Sequence, residues 1–196
     1  MVTVHKNKKG FTLLEMMLSI AIITIVSGCL VSLMIGIKDS YINTYNSDDS
    51  TDYAMLFAQG LENSVLATVQ DQGAHPVKTA VWKVGTYTGD DGATHTALMM
   101  NGTPVFKLKQ MQVQPKGKSD IVDKWSITLE FDPTTKITAS DVGPTKGMIN
   151  YTITVRDNYY DPQHPIKCVH NGGFLLPHFD NGTVTATATE LTFKAS

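Results

Sequence analysis

KKGFTLLEMMLSIAI, Lys8 to Ile22, is the stretch on which the reading of this chain turns. It opens on two lysines, passes through Gly10, and then becomes apolar with a single carboxylate, Glu15, set into the run. Upstream, Met1 to Lys9 carries Lys6, Lys8, Lys9 and His5 and no acid. A basic flank before an apolar segment predicts that the N-terminus stays in the cytoplasm. Downstream, the 22 residues from Met16 to Ile37 hold no charge at all. As a helix, Phe11 to Ile37 would extend ~40 Å against ~30 Å of hydrocarbon, enough to span a bilayer. A secretory signal has an apolar core of roughly 7 to 15 residues, so this run is too long for one.

Outside that segment the chain is polar and rich in threonine. The whole has 196 residues, 18 acidic and 16 basic, with 17% charged residues, against about 25% in soluble domains. The deficit is concentrated in the anchor. Two cysteines are too few for a disulfide framework, and a net charge of −2 excludes a basic nucleic-acid binder. Glu15 is the residue that does not fit, because a carboxylate inside a bilayer is costly. Two readings stand: a cap on the first helical turn, or a carboxylate that needs a cationic partner.

The string Lys8 to Ile22 resembles the class III signal and N-terminal helix of type IV prepilins and of type II secretion and competence pseudopilins. The resemblance covers roughly the first 30 residues and rests on the basic leader, Gly-Phe-Thr-Leu-Leu-Glu and the long uncharged run. It implies that Gly10 is the residue after which a prepilin peptidase cuts, that Phe11 becomes the N-methylated first residue, and that Glu15 matches the family's assembly glutamate. It further implies a minor pilin or pseudopilin of a type IV pilus-like filament. The partners it implies are other subunits, met through the N-terminal helix, together with the peptidase, the inner-membrane assembly platform, and lipid before assembly. The precursor would cross the inner membrane once, with its C-terminal domain outside, and end in an extracellular or periplasmic filament. A tip subunit for adhesion or DNA uptake is the first alternative; nucleic acid is allowed as a ligand, but nothing in the sequence indicates it. The second alternative is a lipoprotein, because Val26-Ser27-Gly28-Cys29 resembles a lipobox with Cys29 as the lipidated residue. The apolar run continues past Cys29 to Ile37, where a lipoprotein turns polar.

The expected fold class is α+β and pilin-like: a leader at 1–10, a membrane or filament-core helix at 11–37, an amphipathic continuation at 38–75 and a β-rich domain at 76–196. No proline precedes Pro76 to break the helix, a departure from many pilins. Gly28 and Gly36 are its weak points. Tyr41, Tyr45, Tyr53, Leu56, Phe57, Leu61, Val65, Leu66 and Val69 recur at helical spacing and predict one buried face. Asn46 to Asp52 is a polar patch, expected as solvated helix or a short break rather than a cation site. Trp125, Ile127, Leu129 and Phe131 alternate with polar residues, as do Ile149, Tyr151, Ile153 and Val155, which predicts half-buried strands. Further strands are expected at Val77–Tyr87, Thr96–Met100, Val105–Val113 and Val184–Phe193, with Asn101-Gly102 as a hairpin turn. Together these predict an antiparallel sheet with its apolar face under the helix.

Two long loops are expected, Asp132–Gly147 and Asp157–Thr183. The second carries Pro162, Pro165 and Pro177, the aromatics Tyr159, Tyr160, Phe174 and Phe179, and a cluster of His164, Cys168, His170 and His178. Paired short spacings with several cysteines make a structural zinc site, and this cluster lacks them. No metal or cofactor is expected, and both thiols are expected to be free. Asn101, Asn150 and Asn181 open glycosylation-type triplets, which carry little weight in the bacterium or archaeon that the resemblance implies. Catalytic fingerprints are missing, so no enzymatic activity is expected.

Overall fold

A computed structural model describes residues 12–70, 77–114, 117, 119, 121–139, 147–158, 167–176, 179 and 182–195. Gly10, Phe11, Pro76, Tyr159, Tyr160, Pro162, His164, Pro165, Pro177, His178 and Asn181 lie outside the described residues, as do the side chains of Tyr45 and Asn46. One helix, α1, runs Leu13–Gln70. The chain divides into two compact units, Met1–Thr44 and Tyr45–Ser196.

In the first unit, Leu13–Tyr41 has a mean hydropathy of 2.6 over its most apolar window and buries none of it. The polar side chains in this stretch return hydrogen bonds to the helix itself. Ser19 Oγ donates to the Glu15 carbonyl at 2.8 Å, and Thr24 Oγ1 to the Ile20 and Ala21 carbonyls at 3.0 and 2.8 Å. A hydroxyl satisfied this way avoids the cost of an unpaired polar group in hydrocarbon. The helix continues through Gly28 and Gly36 without interruption.

The second unit begins on the same helix and changes character. Ala54, Phe57, Leu61, Val65 and Val69 recur three or four residues apart and are all buried, with Ser50 beginning the same stripe. Tyr41 and Leu56, expected on this face, are exposed, and Ala54 and Ala58 are buried. Residues 46–52 are helical, so the polar patch is a stretch of helix rather than a break, with Asp48 and Asp52 exposed and Ser50 buried. Asp49 there pairs with Lys124 at 3.5 Å.

Eleven strands follow among the described residues, and they form more than the one expected sheet. Six make an antiparallel sheet: β1 (Thr79–Thr88), β2 (Thr94–Met100), β3 (Thr103–Lys107), β7 (Lys136–Thr138), β10 (Thr183–Ala186) and β11 (Leu191–Lys194). Their order is β3-β2-β1-β11-β10-β7. β6 (Trp125–Phe131), β8 (Met148–Asp157) and β9 (Lys167–Leu175) form a three-stranded sheet, and β4 (Gln112–Val113) with β5 (Val122–Asp123) a short ribbon. The alternation in β6 and β8 is met in full: Trp125, Ile127, Leu129 and Phe131 are buried, as are Ile149, Tyr151, Ile153 and Val155. These and the α1 stripe share one apolar core with Trp82, Leu98, Val184, Leu191 and Phe193. Burying each large side chain contributes roughly 1.5–3 kcal/mol. Trp82 also ties β1 to α1, its indole N–H donating to Ser64 Oγ at 2.9 Å.

Asn101-Gly102 forms the β2–β3 turn with φ of 52° and 80°, the left-handed pair a tight hairpin requires. Asn101 is fixed by accepting from the Val81 N–H and donating to the Thr79 carbonyl, both at 2.9 Å. Four expectations need correction. Val105–Val113 is two strands, because β3 ends at Lys107 and β4 belongs to the ribbon. Val184–Phe193 is a hairpin, turned where the Thr187 N–H donates to the Glu190 carbonyl at 2.8 Å. The Asp132–Gly147 loop contains β7. The Asp157–Thr183 loop contains β9, which pairs with β8 over nine residues, and its Phe174 and Phe179 are buried.

Candidate processing and assembly site

The described part of the helix opens at Thr12, and its first turn explains both the sequence and the misplaced carboxylate. Thr12 and Glu15 cap each other. The Thr12 backbone N–H donates to Glu15 Oε2 at 2.8 Å, and the Glu15 N–H donates to Thr12 Oγ1 at 3.3 Å. The Thr12 hydroxyl closes the pair by donating to the same Oε2 at 2.9 Å. This reciprocal arrangement is what a Thr-x-x-Glu pattern makes at a helix start, where backbone N–H groups lack partners within the helix. A carboxylate is also favoured there by the positive end of the helix dipole. Thr12 is the residue of this turn that the sequence reading did not single out, although Thr-Leu-Leu-Glu was the signal for it.

Around this turn the surface is apolar on every side. Leu13 and Leu14 are about four-fifths exposed, and Met17, Leu18, Ile20, Ile23, Ile25, Leu30, Leu33, Met34 and Ile37 are all exposed in the single chain. So much apolar area is far beyond what a soluble monomer presents to water. It requires lipid or neighbouring helices. Cys29 lies exposed within this stretch, with helix continuing on both sides.

The other candidates are dispersed. Of the acids at 48–52, Asp48 and Asp52 are exposed and Asp49 is turned to Lys124. Cys168 is free and half-buried on β9, its Sγ 3.5 Å from Thr51 Oγ1. His170 packs its ring 6.3 Å from that of Tyr151. Among the described residues no three His, Cys, Asp or Glu side chains come together in a way that could hold a metal ion.

Residues 5–28 match the family described as the prokaryotic N-terminal methylation motif. This match ends before the amphipathic half of α1 and does not extend into the β-rich unit. No curated protein and no solved structure gives a match to the chain. A basic leader, a capped helix start and an apolar helix with no buried face meet in the matched segment. The chain carries a type IV prepilin-like class III signal peptide at the head of an α+β, pilin-like fold.

Proposed function

We propose that this chain is a minor pilin or pseudopilin, made as a membrane-anchored precursor, cut after Gly10, methylated on Phe11 and assembled into a filament through its N-terminal helix. The observation that carries the reading is the methylation motif at residues 5–28 lying on a 29-residue apolar segment with no buried face. In the precursor the lysines of the leader hold the N-terminus in the cytoplasm and the β-rich unit stands on the other side. Cleavage removes Lys6, Lys8 and Lys9, so the mature chain has 13 basic against 18 acidic residues, a formal −5. The new amine of Phe11 then stands four residues from Glu15. Within a filament the Glu15 carboxylate of one subunit takes the Phe11 amine of the next. Its benefit is register more than net energy, because desolvation offsets much of the attraction between buried charges.

The test is the mature N-terminus. Intact mass and N-terminal sequencing of the protein from cells with and without a prepilin peptidase should give a chain beginning at methylated Phe11 in the first and the full precursor in the second. A mature chain beginning at Cys29 and carrying lipid would replace this reading with the lipoprotein.

A further inference from the structure

His95, near the start of β2, has both ring nitrogens engaged by carboxylates from different parts of the second unit. Nδ1 lies 2.8 Å from Asp123 Oδ1 on β5, and Nε2 lies 3.1 and 3.2 Å from the two oxygens of Asp91 in the β1–β2 turn. The imidazole is 12% exposed and the Asp123 side chain 4%, whereas Asp91 is 54% exposed. A neutral imidazole has one donor and one acceptor nitrogen, so in that form one carboxylate faces a lone pair. Only the imidazolium donates to both.

Both carboxylates are held where they are by other donors. Asp123 Oδ2 accepts the Thr96 N–H at 2.9 Å, and Asp91 Oδ1 accepts the Ala93 N–H at 3.0 Å. Gln112 Nε2 on β4 donates to Asp91 Oδ2 at 3.4 Å. Among the described residues the other titratable groups around the imidazole are few. From β1 the Tyr87 ring lies 5.5 Å from the His95 ring. Lys107 of β3 places its ammonium 4.6 Å from the centre of the Tyr87 ring, and Asp90 and Lys109 line the same cleft. Among the described residues the nearest charges are therefore the two carboxylates, both on the imidazole nitrogens. The turn itself is closed by the Gly89 N–H donating to the Ala93 carbonyl at 2.8 Å.

We propose that His95 is a pH-operated latch: as an imidazolium it fastens the β1–β2 turn to the β4–β5 ribbon through both carboxylates, and on losing its proton it gives up one of the two bonds and loosens that hold. The hydrogen bond to Asp123, then that to Asp91, raises the His95 pKa against the opposing effect of burial. The backbone bond from Ala93, then that from His95, holds the Asp91 carboxyl below its usual range. For a raised histidine, the contribution is complete below the ordinary value of about 6.5 and is lost as pH rises through the higher folded value. For a depressed carboxylate, it is lost as pH falls through the lowered value. The latch is closed between those two limits.

The test uses the full chain in detergent micelles, labelled with 15N. Imidazole nitrogen shifts should show both His95 nitrogens protonated at about pH 6, with a midpoint above that of free histidine. The Thr96 amide should open more readily at about pH 9 than at about pH 6 after correction for the intrinsic exchange rate, by the factor that the measured displacement of the His95 midpoint sets, about ten for each pKa unit. Asp91→Asn, on an exposed turn, should lower the His95 midpoint and shrink the step, and His95→Gln should abolish it. A His95 ring with one unprotonated nitrogen at about pH 6 overturns the proposal, as does a step that persists undiminished in both variants. Should His95→Gln fail to fold, the titration of the parent and of Asp91→Asn decides alone.

Discussion

Gly60→Ala is a substitution in which two well-characterised effects oppose each other, and the structure says which should win. Gly60 is buried in α1, and an added Cβ would lie 2.5 Å from Cγ and Cδ1 and 2.7 Å from Cε1 of Phe106 on β3. Carbon atoms rest at about 3.5–4.0 Å, so the ring must retreat by about 1 Å or more. The atoms concerned include the root of the ring, so a rotation at the far end of the side chain does not relieve the overlap. Phe106 also meets the buried Phe57 edge-on, with ring centroids 6.2 Å apart at 76°, an arrangement worth about 0.5–1.5 kcal/mol. Overpacking of this kind costs about 1–3 kcal/mol, and alanine in a helix interior gains about 1 kcal/mol over glycine. Because a displaced Phe106 ring also stacks less well on Phe57, Gly60→Ala should destabilise the second unit by about 1–2 kcal/mol on balance. In a Phe106→Ala background the obstacle is gone, and the same substitution should stabilise by about 1 kcal/mol. Urea unfolding in micelles, followed by fluorescence of the buried Trp82 and Trp125, measures both differences. A Gly60→Ala variant that is more stable than the parent, or a destabilisation unchanged by Phe106→Ala, would refute the reasoning.

Three further expectations concern the N-terminal segment. Glu15→Ala should leave cleavage intact, with mature chain of normal mass, while reducing incorporation into filaments; sheared-filament immunoblots compare the two, and normal incorporation removes the pairing argument. A bulky replacement such as Gly10→Trp should leave the precursor uncut, seen as a slower band that does not convert over time. Cys29→Ser should change neither membrane retention nor the position of the mature N-terminus, and loss of a lipid-sized mass on that substitution would support the lipoprotein instead.

What the chain disclosed in advance depended on which interactions were local. β6 and β8 were legible because each has one face in the core and one outside, which imposes period two on the residues themselves. Asn101-Gly102 was legible because the turn needs left-handed backbone that few other pairs adopt. β9 was hidden, since Lys167–Leu175 contains His170, Asn171, Gly172 and Gly173 and sits in a proline-rich stretch. Its support comes from afar: Phe174 is buried, and Tyr151 of β8 passes so close to Gly172 that a Cβ there would be 2.5 Å from the phenol oxygen. The turn between β10 and β11 has no glycine or asparagine. Thr187 supplies the hydroxyl that accepts the Glu190 N–H at 3.2 Å instead, so Val184–Phe193 read as one strand. At the candidate site, the leader and Glu15 were legible because a charge in an apolar run stands out by composition. His95 was not, because Asp91 and Asp123 come from separate elements and nothing in its own neighbourhood announces that both meet its ring.

The cap at the helix start has a consequence for how a subunit waits. A glutamate without company in lipid would make the unassembled pool costly to keep and would drive it towards any available cation. Here Thr12 already occupies the carboxylate, so under the proposed function entry into a fibre would be an exchange of one partner for another, and departure the same exchange run backwards. On the proposed reading, a subunit built this way can be stored, used and recovered without its most polar anchor group ever standing idle.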